Sequence, residues 1–270
     1  MKRTSAAAVD ASPGSWYSDG TTLYVRTIDS RPPDAQLRAY LGIQGIRADG
    51  VDLNLYGIEF HGGDINGALY IRNEGGAAKL NAEQCAFRYS PLGNGLTAWG
   101  VGIVKLRDCT ATSNQLDGLN YHARVGAVTN ASEINCESYD NGFSGSNSDN
   151  ASSMHDGGSI IRVGGRYEAA GGRNVVDISD NTQSFNWGCD ARNSRGGVGH
   201  NIDYEAGQPG ALDATRMWLV ECRASGSTLS AYVNDVSTIY YRDNAGITIS
   251  GPGAALPYAQ SGERRQVLPH

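Results

Sequence analysis

The sequence predicts an all-β fold, a single chain wound as a parallel β-helix, and three observations carry that prediction. Gly is abundant at 36 of 270 residues while charged residues make up only 19%, a mix that suits short strands and tight turns better than long helices. Apolar residues alternate with period two in short runs such as "GVDLNLYG", "GALYIR" and "VGIVKL", each broken by Gly, Asn or Asp. A cysteine-centred pattern recurs along the chain: "QCAFRYS", "DCTATSN", "NCESYDN", "GCDARNS" and "ECRASGS".

The recurrence sets the architecture. Cys85, Cys109, Cys136, Cys189 and Cys222 are each followed five positions on by Ser or Asn, namely Ser90, Asn114, Asn141, Ser194 and Ser227. Ile58 and Gly165 take the same place in two further copies, and Ile239 marks a truncated last one. The register then steps by 27, 24, 27, 29, 24, 33 and 17 residues, the period of a solenoid. With no helical pattern between the steps, each period reads as one coil of several short strands stacked on the next. The cysteines read as a buried column of free thiols, since metal-type Cys-x-x-Cys spacing is absent and parallel side chains in register suit a disulfide torsion badly.

Taken in order, residues 1–14 form a disordered or truncated lead. Residues 15–44 form a hairpin cap around the Asp-Gly turn at 19–20 in "SWYSDGTTLYVRT", with a proline-interrupted loop behind it. Residues 45–250 form the solenoid, and 251–270 a polar tail. The lead lacks the apolar stretch of a secretory signal, and strand-like sequence begins abruptly at Ser15, as expected of a piece cut from a longer chain. Net charge is −6, which argues against a nucleic-acid partner. No stretch approaches the roughly 20 apolar residues of a membrane span. No cofactor loop is read either: "GGVGHN" (196–201) is not followed by a helix and fits a coil turn.

Several stretches resemble phage and prophage tail proteins built on the pectate-lyase-like, right-handed parallel β-helix: "PGSWYSDGTTLYVRTIDSRPPDAQLRAYL", "GNGL", "LDGLNYHA", "NSDNASSMHDGGSIIRVGGRYEAAGGRNVVDI" and "MWLVEC". The resemblance implies the handedness. It also implies a place in a virion tail or outside the cell, bacterial surface polysaccharide as partner, and the homotrimer usual for tail spikes. It brings no catalytic constellation with it.

The candidate site follows from a glycan-binding groove. A turn residue precedes the next strand in each coil (Asn66, Asn94, Asp117, Arg173, Gly197, Ser230), and in the fourth coil Asp156 takes that place, making Asp117 and Asp156 successive rungs of one ladder. The insertion 143–154 delivers His155 and Asp156 beside His122 and Asn120. Acid/base chemistry is expected around Asp156, with His155, Asp117 and Asp177 assisting; two carboxyls one or two rungs apart match the needs of glycoside hydrolysis, and close like charge would raise one of their pKa values as a general acid requires. His122, Asn120, Arg162, Arg173 and Trp99 are expected to bind substrate. Either arginine could neutralise a uronate in a lyase, and Trp99, Tyr70 and Tyr121 could form a sugar platform. Beside each stands a plainer reading: His155 and His122 as turn or strand-end residues, Arg162 as a solvated ion pair, the aromatics as core, and Asp117 and Asp156 as turn residues. No metal site is expected. The expected function is binding of surface polysaccharide, with cleavage as its stronger form. The alternatives are a structural or adhesive β-helix, and an extracellular polysaccharide lyase or epimerase.

Overall fold

The computed structural model describes residues 4–13, 15–18, 22–26, 29–30, 45–73, 75–124 and 127–258. They fall into two compact units, Met1–Ala39 and Tyr40–His270.

In the first unit, Ser15–Ser18 pairs antiparallel with Leu23–Arg26, placing Tyr17 opposite Tyr24. Their Asp-Gly turn lies outside the described residues. The lead is not wholly unstructured: Ala6–Asp10 is a one-turn helix whose N-terminus is capped by Ser5, the Oγ accepting the Ala8 N–H. Val9 anchors it by burial.

The second unit is a right-handed parallel β-helix. Among the described residues its first and second sheets have nine strands each and its third has seven, which makes seven complete coils. The fourth runs Leu119–His122, Asn130–Ile134, Glu137–Tyr139, and the fifth runs Ser152–His155, Ser159–Val163, Arg166–Glu168. Beyond the seventh, Ala254–Pro257 still pairs in register with the second-sheet strand before it, so the segment expected as a tail opens with a strand.

Every coil turns its corners the same way. One left-handed residue precedes each third-sheet strand (Gly57, Gln84, Asp108, Asn135, Gly164, Gly188, Glu221) and another follows it (Gly62, Tyr89, Ser113, Asp140, Ala169, Asn193, Gly226). The cysteine column sits one residue after the first of these. All five thiols are free and buried, and Sγ of Cys109, Cys189 and Cys222 donates to a carbonyl one coil back, 3.3–3.4 Å away. Two members of the expected column differ. Ile58, in the first coil, is 40% exposed. In the last copy the place belongs to Asn244, which follows left-handed Asp243 and whose Oδ1 accepts the Cys222 N–H; Ile239 lies inside a strand. Gly165 is small for a reason: a Cβ there would sit 2.5–2.8 Å from the Tyr167 ring, which fills the slot from the same coil. Five residues past the cysteines, Asn114 and Asn141 stack as a buried ladder, the Asn114 amide donating to Asn141 Oδ1 at 2.9 Å.

The lumen holds two apolar clusters, one centred on the early coils (Leu69, Leu80, Phe87, Leu96, Tyr121) and one on the late coils (Val175, Tyr204, Met217, Leu219, Ile239). Between them the inward columns turn polar. The second-sheet column reads Leu106, Glu133, Arg162, Asn186, Leu219 through successive coils, and the first-sheet column reads Tyr121, Met154, Asp177, Ala206.

Candidate functional site

That polar insert takes two expected site residues out of the groove. Arg162 and Asp177 are both fully buried in the lumen. Nη1 and Nη2 of Arg162 each donate to one oxygen of Asp177 at 2.9 Å, and Nε donates to Ser152 Oγ. Glu133 accepts from Ser152 Oγ and from the Tyr167 hydroxyl. Burial alone would lower the Arg162 pKa, but Asp177 and Glu133 hold it above its ordinary value. Their inward phase follows from strand alternation: Arg162 lies two positions from inward Ile160, and Asp177 sits beside Met154. Tyr121 is inward and buried too.

Asp117 and Asp156 are not rungs of one ladder. Leu119 pairs with Ser152 and His122 with His155, so the residue one coil on from Asp117 is Asn150, and Asp156 lies past the far end of its strand. The error is one of loop length: the insertion ends before Asn150, and Ser152–His155 is already strand. Asp117 is a buried brace. Its carboxylate accepts the Asn150 N–H at 2.6 Å, Ser153 Oγ at 3.0 Å and the Asn120 amide, and burial raises its pKa to about 6. Asn120 is buried with it.

The outer face of the first sheet brings four expected residues together. Trp99, His122 and His155 are register partners in successive coils. Their rings are in contact: Trp99 is tilted 41° to His122 with centroids 4.6 Å apart, and His122 and His155 stack at 11° with centroids 4.4 Å apart. Asp156 is left-handed, with φ of 62°, and this turns its carboxylate back so that Oδ2 meets His122 Nδ1 at 2.9 Å. That hydrogen bond holds the Asp156 pKa below its ordinary value, with the charges of His122, His155 and Arg124 adding to it. The carboxyl raised by like charge that a general acid would need is therefore not Asp156. The Arg124 guanidinium, which sequence reasoning missed, lies 4.4 Å over the Trp99 ring. Burial, then the neighbouring His122, lowers His155 to about 4, so its ring is neutral at pH 7.

His155 also lines a cleft of about 240 Å³ with Asn150, Arg173, Val176, Ile178 and Glu205. Arg173 and Glu205 face each other as a partly buried ion pair, and Arg173 Nη1 donates to the Asn147 carbonyl at 2.8 Å, fastening the inserted loop. Of the neighbours, Asp203 is buried, hydrogen-bonded by Asn174 and Ser227, with its pKa raised by burial to about 7. Tyr70 faces outward with Arg47 5.6 Å over its ring. Among the described residues no cluster of three or more His, Cys, Asp or Glu side chains could hold a metal.

No family model and no curated protein matches the chain. Among solved structures it is similar to the crystal structure of pectate lyase Pel9A, with a TM-score of 0.45 and 12% identity over 92% of this chain and 72% of that one. That likeness is one of winding and says nothing of the site.

Proposed function

We propose that the protein is a glycan-binding β-helix of the tail-spike or tail-fibre kind, active outside the cell, which lays a bacterial surface polysaccharide along the outer face of its first sheet. One observation carries the reading: three successive coils present rings in contact, Trp99, His122 and His155, on an outward column. With their faces turned to one another, these rings present edges outward, which sugar C–H groups can contact while polar side chains beside the column orient the sugar. Arg124 and Asp156 supply that edge.

The test is direct binding of capsular polysaccharides and lipopolysaccharides from candidate hosts, followed by calorimetry. Trp99→Ala is expected to weaken the bound polymer at least tenfold; unchanged affinity, or no polymer bound by the parent chain, ends this reading. Light scattering tests the homotrimer that tail spikes imply.

Hydrolysis by paired carboxylates is disfavoured, because Asp117 and Asp177 are both held in structural bonds. A depolymerase stays as a second reading on one feature, the His122–Asp156 pair, in which a carboxylate orients an imidazole toward its own base or acid role. Reducing ends and absorbance near 235 nm report it, and Asp156→Ala should abolish whatever cleavage is found.

A further inference from the structure

Two residues lining the cleft beside His155 each carry a buried polar atom with no hydrogen-bond partner, His155 Nε2 and Asn150 Oδ1. Buried groups of this kind are rare and costly in native proteins. The atoms come from different segments, one from the end of the strand Ser152–His155 and one from the residue that follows the inserted loop. Asn150 has spent its other amide atom on the Ser148 carbonyl, at 2.7 Å. The charged groups of the cleft, by contrast, are occupied. Arg173 gives Nε and Nη2 to Glu205 and Nη1 to Asn147, and Glu205 also accepts from Asn234 at 2.8 Å. Val176 and Ile178 add apolar surface between these polar groups.

Resting on the glycan-binding reading, we propose that this cleft is a subsite for one uncharged sugar ring, whose hydroxyl or amide groups pair with His155 Nε2 and Asn150 Oδ1 while its C–H face lies on Val176 and Ile178. No unpaired charge waits in the cleft for a carboxylate or an ammonium group, so an ionised sugar would enter against its own desolvation. The volume fits a single ring, since ligand pockets for larger molecules run from about 300 Å³ upward. His155 joins the two parts of the face, because its ring ends the stacked ladder while its Nε2 serves the cleft. Ser148 and Gln208 stand exposed at the rim, and they must move aside before a ring can reach the two shielded atoms.

The experiment follows the His155 side-chain signals by NMR during titration with methyl glycosides of glucose, galactose, mannose, N-acetylglucosamine and glucuronic acid. At least one neutral glycoside is expected to shift them saturably, with the glucuronide at least tenfold weaker. His155→Phe keeps the ring stack and deletes Nε2; Ser148→Trp, at an exposed rim position, blocks the mouth without touching the core. Calorimetry should show each weakening the neutral glycoside at least tenfold, and Ser148→Trp, which lies outside the ring column, should still bind polymer through Trp99. The subsite is overturned if the glucuronide binds as well as any neutral glycoside, if no neutral glycoside binds, or if both variants bind like the parent. Polymer binding with a silent cleft sinks this inference alone, whereas absence of polymer binding by the parent chain sinks the glycan reading itself.

Discussion

Two contacts of the same length lie in neighbouring coils, Arg162–Asp177 inside the solenoid and His122–Asp156 on its outer face, both at 2.9 Å. The inner pair is closed. All three guanidinium nitrogens of Arg162 have partners, and its side chain and that of Asp177 are wholly shielded. The outer pair is open, with side chains 21% and 36% exposed and His122 sandwiched between two rings that themselves face outward. Contact length therefore does not distinguish a structural pair from a functional one. Unspent hydrogen-bonding capacity and access to ligand do.

The largest expected effect separates the pairs by stability. Asp177→Ala leaves the Arg162 charge buried without its bidentate partner, which should cost about 3–5 kcal/mol. Asp156→Ala removes a partly exposed pair and should cost less than about 1 kcal/mol. Urea denaturation of both variants beside the parent reads the difference. Equal losses would break the comparison, because the outer pair would then be a structural tie.

The same contrast explains how much could be read from the residues. The coil period was legible because one left-handed corner residue followed by a small buried one recurs, and a solenoid repeats whatever its corners demand. The inward or outward phase of Arg162 and Asp177 was not. Alternation fixes phase only relative to a known neighbour, and a lumen that turns polar for three coils defeats the rule that apolar means inside. Taking the inserted loop through to Met154 puts Asp156 on the wrong rung. Aligning the histidines that close "LNYH" and "SSMH" would have set the register and placed Asn150, not Asp156, beside Asp117. The His122–Asp156 contact joins residues 34 apart, so it becomes visible only once that loop length is right.

A second, smaller effect sharpens the outer-face half of the comparison. His155 titrates at about 4 in the fold against about 6.5 in an unfolded chain. Its lowered pKa means that the unfolded chain takes up the proton first as pH falls. Stability is therefore complete above pH 6.5 and is lost progressively down to about pH 4, by on the order of 3 kcal/mol. His155→Phe cannot take up that proton. Denaturation midpoints between pH 7 and 4 should fall less for the variant than for the parent, and parallel curves would show that the imidazole is not held neutral.

The smallest effect has the opposite sign and comes from the brace beneath the same face. Asp117, raised by burial to about 6, favours its protonated form in the fold, so its contribution is fully present below about pH 4 and is lost as pH rises through 6. Asp117→Asn keeps one oxygen for the Asn150 N–H. It would set its new amide against that of Asn120, except that Asn120 Oδ1 has no partner and can turn to accept it. With charge removed and hydrogen bonds re-formed, the variant should gain on the order of 2 kcal/mol over the parent between pH 4 and 7. If it instead loses stability at every pH, the carboxylate is ionised and well satisfied by its three donors, and Asp117 belongs with the closed Arg162–Asp177 pair.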